Sequence, residues 1–270
     1  MRMEPREAFA AVGDRLEIAL VVLIGYGCHL YYNLVGHIAS LRGFDLGPHL
    51  LTPLDRACPY MPFWVLFYQV AYFAPAIVLL LILPRIGWDV PAIRRIVVSF
   101  LLLFFVHFSL YLLFPTSARP IRLPESMLGE GALGNMVRGQ YHLATVWCAW
   151  PSLHVSACWF CYHLLARYRP LVRWIYLAWF LGMFIGTFAI KIHYILDGVA
   201  GVLLAEGTYR WALVRLDTAK ALRWEWHSQA LRLACYAVVL TALLAGLPLA
   251  MSATGFSGPL YTIHSIQLGR

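Results

Sequence analysis

Long apolar segments alternate with short polar ones along this chain, and seven of the apolar segments have the length of a membrane-spanning helix. They extend approximately over residues 17–39, 61–83, 93–114, 146–166, 172–190, 193–214 and 231–251. The hydrocarbon core of a bilayer is about 30 Å thick, so a helix needs about 20 mainly apolar residues to cross it. Inside lipid only helices and closed barrels satisfy the backbone, and these segments are too long for barrel strands. The pattern therefore predicts an all-α, polytopic membrane helical bundle.

The composition agrees with a membrane protein. Hydrophobic residues make up 61% of the 270 residues and charged residues 13%, with a mean hydropathy of +0.70, whereas soluble domains average about 45–50% and about 25%. The apolar segment after the basic N-terminus lacks the cleavage pattern of a signal peptide, which predicts a retained first helix. We find no internal repeat and no long linker. Residues 1–270 are therefore interpreted as one integral membrane domain.

The formal net charge of +8 is explained by topology, because the basic residues do not form one patch of the kind that binds nucleic acid. Cytoplasmic loops of membrane proteins are enriched in Lys and Arg. If the N-terminus is cytoplasmic, eleven basic residues lie in or beside inner loops and seven in outer ones. We therefore predict a cytoplasmic N-terminus. The outer loops, residues 40–60 and 115–145, would face the periplasm, the exterior or an organelle lumen.

Three polar segments, residues 114–120, 150–156 and 191–198, lie at the predicted outer face. In the last segment His193 and Asp197 are four residues apart, which puts them on one face of a helix. A carboxylate there accepts the proton of one imidazole nitrogen and leaves the other nitrogen to attack. Ionisable residues at membrane depth are costly and indicate function. The pair is interpreted as catalytic, and the alternative is a pair that only stabilises the helix.

The other two segments supply a proton donor and cations. Pro151 lies where a helix is predicted to start, and the free N–H groups of that first turn, with the Ser152 hydroxyl, form an anion site. His154 on the same turn is placed to protonate a departing oxygen. Arg119 offers a fork of donors for phosphate, and Lys191 adds a point charge. This set is typical of phosphoryl transfer through a phosphohistidine, for which we expect no metal ion and no cofactor.

The three segments resemble, in order and spacing, the motifs K-x6-RP, PSGH and SR-x5-H-x3-D of the PAP2 (type 2 phosphatidic acid phosphatase) superfamily. Here they read Arg119-Pro120, Pro151-Ser152-Leu153-His154 and His193-x3-Asp197. The resemblance extends over about residues 114–201. It implies a PAP2-type core of six helices, with a catalytic part at about 61–215. The seventh predicted helix, at about 231–251, departs from the usual six. The resemblance also implies that His193 is the nucleophile, Asp197 its orienting partner and His154 the general acid. Arg119 and Ser152 would hold the phosphate.

The sequence departs from these motifs at several positions. Leu112 stands where the first motif has lysine, and Gly186-Thr187 where the third has Ser-Arg. Lys191 and Arg122 are interpreted as replacements for the lost positive charge, and the alternative is that both are solvated interface cations. With Phe-Pro-Thr before the first motif, Pro-Ser-Leu-His in the second and no Ser-Arg in the third, the chain resembles the branch that contains inositol phosphorylceramide synthases. That branch moves a phosphoalcohol head group from a glycerophospholipid to a ceramide-type acceptor.

Three functions stay open on the sequence. The first is a lipid head-group transferase, and the second is a lipid phosphate or prenyl diphosphate phosphatase that uses water as the acceptor. The third is a transporter or an inactive scaffold, but the polar residues gather at one face rather than at the bilayer midplane, which favours an enzyme. The expected partners are a phospholipid donor, a lipid alcohol or water as acceptor, and the membrane. Nucleic acid is not expected, and the sequence predicts no particular oligomeric state.

Other polar residues are interpreted as structural. Histidines inside spans, such as His107 and His163, are expected to bond to neighbouring helices. Asp45, His49 and Asp55 are interpreted as ordinary loop residues, and the alternative is that Asp55-Arg56 shapes the head-group entrance. Glu206, deep in the sixth span, requires a partner and is either structural or part of a polar cavity.

Two further features of the sequence leave alternatives open. Cys58 and Cys148 both fall in predicted outer loops, where a disulfide is one alternative and two free thiols the other. Residues 210–232 mix Trp, Leu and basic residues, which is typical of an amphipathic helix at the inner interface.

Overall fold

The computed structural model describes residues 5–87, 89–214 and 229–254, and helices are the regular secondary structure of these ranges. They are α1 Pro5–His29, α2 Tyr32–Ser40, α3 Gly47–Leu50, α4 Pro53–Ala57, α5 Val65–Val70, α6 Ala74–Ile86, α7 Val90–Leu113, α8 Ala132–Leu143, α9 Leu153–Tyr168, α10 Val172–Ala189, α11 Ile195–Thr208 and α12 Gln229–Thr254. A π-helical turn, Tyr209–Val214, follows α11 directly. The all-α prediction is confirmed.

Each of the seven predicted spans contains a helix, and these helices differ in length. Among the residues that the structure describes, three helices are long and apolar enough to cross a membrane, namely Gly13–Ser40, Val90–Leu113 and Val172–Ala189. The pair Pro62–Val70 and Ala74–Ile86, bent by 44°, is a fourth if it counts as one span. The protein is therefore an integral membrane protein.

The predicted fourth and sixth spans begin later than the apolar pattern indicates. Residues 146–152 are not helical, because their backbone pairs with the loop after α7. Ala118 N donates to the Val146 oxygen at 2.9 Å, and Ala149 N donates to the Thr116 oxygen at 3.2 Å. Helix α9 consequently has 16 residues. Helix α11 has 14, because the turn before it includes Lys191 with a φ of 61°, a conformation that ends a right-handed helix.

Helix α9 lies at the centre of the bundle and packs against α6, α7, α10 and α11. Its buried residues Phe160 and Leu164 join Val78, Ile82 and Leu103 in one apolar core. Large apolar side chains on the outside of the bundle are exposed instead, as in Leu80, Phe105, Ile175 and Leu249. Such a surface suits lipid rather than water.

The predicted seventh helix is α12, which packs on α1 at the side of the bundle. Helix α1 also contacts α7, where Arg94 forms an ion pair with the buried Glu17. All six cysteines are free thiols, so the Cys58–Cys148 disulfide is not formed. Of the predicted amphipathic segment 210–232, residues 215–228 lie outside the described residues.

Candidate active site

His193 and Asp197 meet at the start of α11, but they do so across the end of the helix and not along one face of it. The helix begins at Ile195, two residues after His193. Asp197 Oδ2 reaches back to accept the backbone N–H of Tyr194 at 2.9 Å and lies 3.3 Å from His193 Nδ1. The expected contact is therefore present, and a helix-capping carboxylate provides it.

A second acceptor fixes the imidazole of His193. The backbone oxygen of Ala149 lies 3.0 Å from the same Nδ1 atom, so both neighbours of Nδ1 are acceptors and the proton belongs on Nδ1. This assigns the lone pair to Nε2. His193 is only 3% exposed and Asp197 is fully buried. Asp197 Oδ1 has no hydrogen-bond partner within the described structure.

His154 faces His193 from the first turn of α9. The two ring centroids are 6.3 Å apart, with an angle of 61° between the ring planes. On its other side, His154 Nδ1 lies 3.1 Å from the Tyr68 hydroxyl, and the ring packs edge-on against Tyr72 at 4.7 Å. The imidazole of His154 is therefore held by α5 and the turn that follows it, with one nitrogen engaged by a phenol.

Ser152 joins the two catalytic helices. Its hydroxyl caps α9 by accepting the Val155 N–H at 3.4 Å, as serine favours at this position. Its backbone N–H donates to the backbone oxygen of Asp197 at 3.0 Å, which fixes the start of α9 against α11. Ser152 is completely buried, so in this arrangement it caps α9 and positions His154.

The three predicted cations differ in their surroundings. Arg119 is exposed, and its guanidinium lies over the Trp147 ring at 5.0 Å. Arg122 donates to the backbone oxygens of Tyr141 and Ala144, both at 3.1 Å, while its buried Nε has no partner within the described structure. Burial lowers the pKa of this guanidinium, and its charge interactions with nearby tyrosines oppose that effect. The Nε–H of Arg122 thus takes no part in the two bonds that hold the guanidinium.

Lys191 is buried rather than solvated. Its Nζ donates to the backbone oxygens of Asp55 at 2.9 Å and Cys58 at 2.5 Å, at the C-terminal end of α4. The left-handed backbone of Lys191 costs roughly 1–2 kcal/mol for a non-glycine residue, and the two bonds of its side chain offset that cost. The alternative of a solvated interface cation is wrong for Lys191, and phosphate binding by this residue stays a prediction.

Two aspartates of the first outer loop hold the site together, and their interpretation as ordinary loop residues is wrong. The Asp55 carboxylate accepts the Thr52 N–H at 2.8 Å and the Ile195 N–H at 2.8 Å, so it caps both α4 and α11. Asp45 accepts the Ser117 N–H at 2.7 Å. Together they attach residues 45–58 to the segments that carry Arg119 and His193.

The sequence contained a signal for one of these contacts. Thr52 and Asp55 have the spacing of a capping box, a motif that indicates a helix start. Tyr68 and the Ala149 oxygen had no such signal, because each reaches a catalytic histidine only through tertiary packing. The other interhelical contacts agree with expectation. His107 Nε2 lies 2.9 Å from the Ser156 hydroxyl. The Glu206 carboxylate accepts a hydrogen bond from Trp159 Nε1 at 3.1 Å and lies 2.7 Å from His163 Nε2.

Comparison with known proteins gives one match. The family model described as "PAP2 superfamily" matches residues 40–211. No curated protein and no solved structure matches the sequence. Within the described ranges, no group of three or more His, Cys, Asp and Glu side chains is arranged to hold a metal ion. The matched residues cover more than half of the chain and include all three motif segments. The protein therefore belongs to the PAP2 superfamily.

Proposed function

We propose that this protein is a lipid phosphotransferase that works through a phosphohistidine on His193. The observation that carries the proposal is the placement of two acceptors, Asp197 Oδ2 and the Ala149 oxygen, on His193 Nδ1. This arrangement leaves His193 Nε2 as the attacking atom. Family membership supports a phosphatase or phosphotransferase activity.

The reaction has two steps, each with a defined role for both histidines. In the first, His193 Nε2 attacks phosphorus, the bond from phosphorus to the leaving alcohol breaks, and His154 donates a proton to the departing oxygen. In the second, an acceptor hydroxyl attacks the phosphohistidine, His154 takes the proton of that hydroxyl, and the N–P bond breaks. Asp197 stabilises the positive charge on the His193 ring in both steps.

Phosphate oxygens require cationic or N–H donors near the two rings. Arg119 and the remaining Nε–H of Arg122 are proposed for this role, because a guanidinium donates to phosphate in a directed way. Ser152 is proposed to act through the first turn of α9, whose N–H groups favour an anion. Lys191 is proposed to contribute its positive charge to phosphate binding from the turn before His193, where the backbone oxygens of Asp55 and Cys58 hold its Nζ.

For the acceptor we propose a lipid alcohol, so that a phosphoalcohol head group moves between lipids as in the inositol phosphorylceramide synthase branch. The burial of His193, Asp197 and Ser152 supports this choice, because a transferase must keep water away from the phosphohistidine. The second candidate is a lipid phosphate or prenyl diphosphate phosphatase, in which water is the acceptor. We further propose that the site faces the non-cytoplasmic side, as the loop charges predict.

The test uses purified protein in detergent with EDTA. It is offered phospholipids, lipid phosphates and polyprenyl diphosphates, with and without ceramide or diacylglycerol. A new phospholipid that forms only with an acceptor is the expected result, whereas free phosphate without an acceptor would establish the phosphatase. Equal activity of His193→Ala and the unchanged protein, or a requirement for a divalent metal, would disprove the phosphohistidine mechanism.

A further inference from the structure

An apolar cavity begins at His154 and continues into the interior of the helix bundle. It contains about 880 Å³ of empty space, its open side included, and is lined by α1, α6, α7, α9 and the turn between α5 and α6. Its outer end is formed by Leu153, His154 and Tyr72, and Ile96 and Leu164 lie at the other end. The cavity therefore borders the proposed catalytic site at His154.

The length of the cavity can be read along α9. Leu153 and Leu164 are eleven residues apart, which corresponds to about 16 Å at 1.5 Å per residue. The hydrocarbon core of a bilayer is about 30 Å thick, so the cavity is about as long as the depth that the chains of one leaflet fill. Apart from His154, its lining consists of apolar residues and the two tyrosines Tyr26 and Tyr72.

We propose that this cavity holds one hydrocarbon chain of the lipid substrate while the phosphate of the same lipid lies between His154 and His193. This inference rests on the proposed function and specifies where the substrate's chain binds. A lipid chain loses no water when it moves from bilayer to cavity, so the hydrophobic effect does not drive its binding. Dispersion contacts with the wall select the chain instead, and they depend closely on fit.

Gly25 lines the cavity from α1, beside Val22 and Tyr26. A Cβ atom at Gly25 would lie 3.5 Å from Val97 Cγ1, an ordinary contact, so the first carbon of a side chain fits there without displacing the backbone. A leucine would occupy the cavity that Gly25 lines. The structure thus assigns the chain-length preference to Gly25.

The first experiment compares Gly25→Leu with the unchanged protein on dipalmitoyl and dioctanoyl phosphatidylinositol, each with ceramide as the acceptor. The activity ratio of the long to the short substrate should fall by about tenfold or more, because groups of methylene size discriminate by that amount in a fitted pocket. Gly207→Leu is the matched control, since Gly207 is exposed on α11 and a Cβ there meets nothing within 4 Å. An unchanged ratio in Gly25→Leu, with turnover retained, would overturn the inference.

The second experiment does not depend on turnover. His193→Ala in phosphatidylcholine nanodiscs is irradiated with phosphatidylinositol that carries a diazirine at the end of one palmitoyl-length chain, and the adducts are mapped by mass spectrometry. We expect adducts on the cavity-facing residues of α1, α7 and α9. These adducts should be lost in the double variant that also carries Gly25→Leu. Adducts only on outward residues such as Leu80 and Ile175 would overturn the inference. If the cavity residues are labelled but the unchanged protein shows no phosphoryl transfer, the chain-binding site stands and the proposed function is wrong.

Discussion

At the scale of residues, the sequence pattern indicates candidate catalytic side chains but not the residues that hold them. His193 and Asp197 were predicted to share a helix face, and they meet because Asp197 caps the helix and reaches back over its start. The partners that orient the histidines come from far along the chain: Ala149 is 44 residues from His193, and Tyr68 is 86 residues from His154. Contacts of this kind depend on tertiary packing, which no local pattern records.

The charge of Asp197 can be tested separately from its shape. Asp197→Asn keeps an oxygen that accepts the Tyr194 N–H, so the cap on α11 is retained. It removes the negative charge that stabilises the His193 ring. We expect kcat to fall by roughly 10²–10⁴-fold, as when the carboxylate of a catalytic triad is replaced by an amide, with little change in the melting temperature. Steady-state assays and thermal denaturation in the same detergent measure both quantities.

Glu206→Gln is the matched control for this prediction. Glu206 is also a carboxylate of α11 with a histidine nitrogen within hydrogen-bond distance, in this case His163 Nε2 at 2.7 Å, but it lies nine residues further along the helix. Its replacement should leave kcat within about threefold of the unchanged protein. If both variants lose the same activity, the charge of Asp197 has no special role in the reaction.

At the scale of elements, the apolar runs locate the long helices but not their ends or the short helices between them. The run at 146–152 is apolar enough for a helix and instead forms backbone hydrogen bonds to the loop after α7. The outer loops, for which no helix was predicted, contain α3, α4 and α8. Of these, α4 had a recognisable capping box at Thr52 and Asp55.

The contact between α9 and α11 leads to a prediction at Gly201. A Cβ atom there would lie 2.7 Å from the Ser152 oxygen and 3.1 Å from the Ser156 hydroxyl. Because one of these atoms is backbone, Gly201→Ala should push the two helices apart at a cost of about 1–3 kcal/mol. The shift moves the first turn of α11 relative to His154, so we expect a lower melting temperature and an activity loss of about tenfold.

The same helix offers a control for this change. Gly207→Ala adds the same methyl group where nothing lies within 4 Å and should alter neither the melting temperature nor the activity. A Gly201→Ala variant that behaves like Gly207→Ala would show that α9 and α11 tolerate a wider separation than their close contact indicates.

At the scale of the whole molecule, hydropathy was sufficient to predict an all-α membrane protein. The positions of the helices relative to one another were not predictable, because apolar segments of similar composition do not indicate which other segment each one packs against. Loop charges do predict an orientation, with the N-terminus in the cytoplasm and the residues between α7 and α9 outside.

This orientation can be measured with single cysteines and a membrane-impermeant maleimide. Glu130, between α7 and α9, and Leu171, between α9 and α10, are both exposed. In a Cys58→Ser background, which removes the partly exposed thiol of the first outer loop, Glu130→Cys should be labelled in intact cells. Leu171→Cys should be labelled only after permeabilisation. The reverse pattern would place the catalytic site on the cytoplasmic side.

The pairing of α9 with α11 also has a consequence for the insertion of the nascent chain into the membrane. Helix α9 carries Trp159 and His163, and both meet Glu206 of α11, while the Ser156 hydroxyl donates to the Gly201 oxygen at 2.8 Å. During synthesis α9 leaves the ribosome before these partners exist, and a charged or polar group alone in lipid is costly. We therefore expect α9 to stay beside the translocon until residues 195–208 have been translated. A nascent chain stopped before Ile195 would present an unpaired His163 to the membrane and become a substrate for quality control.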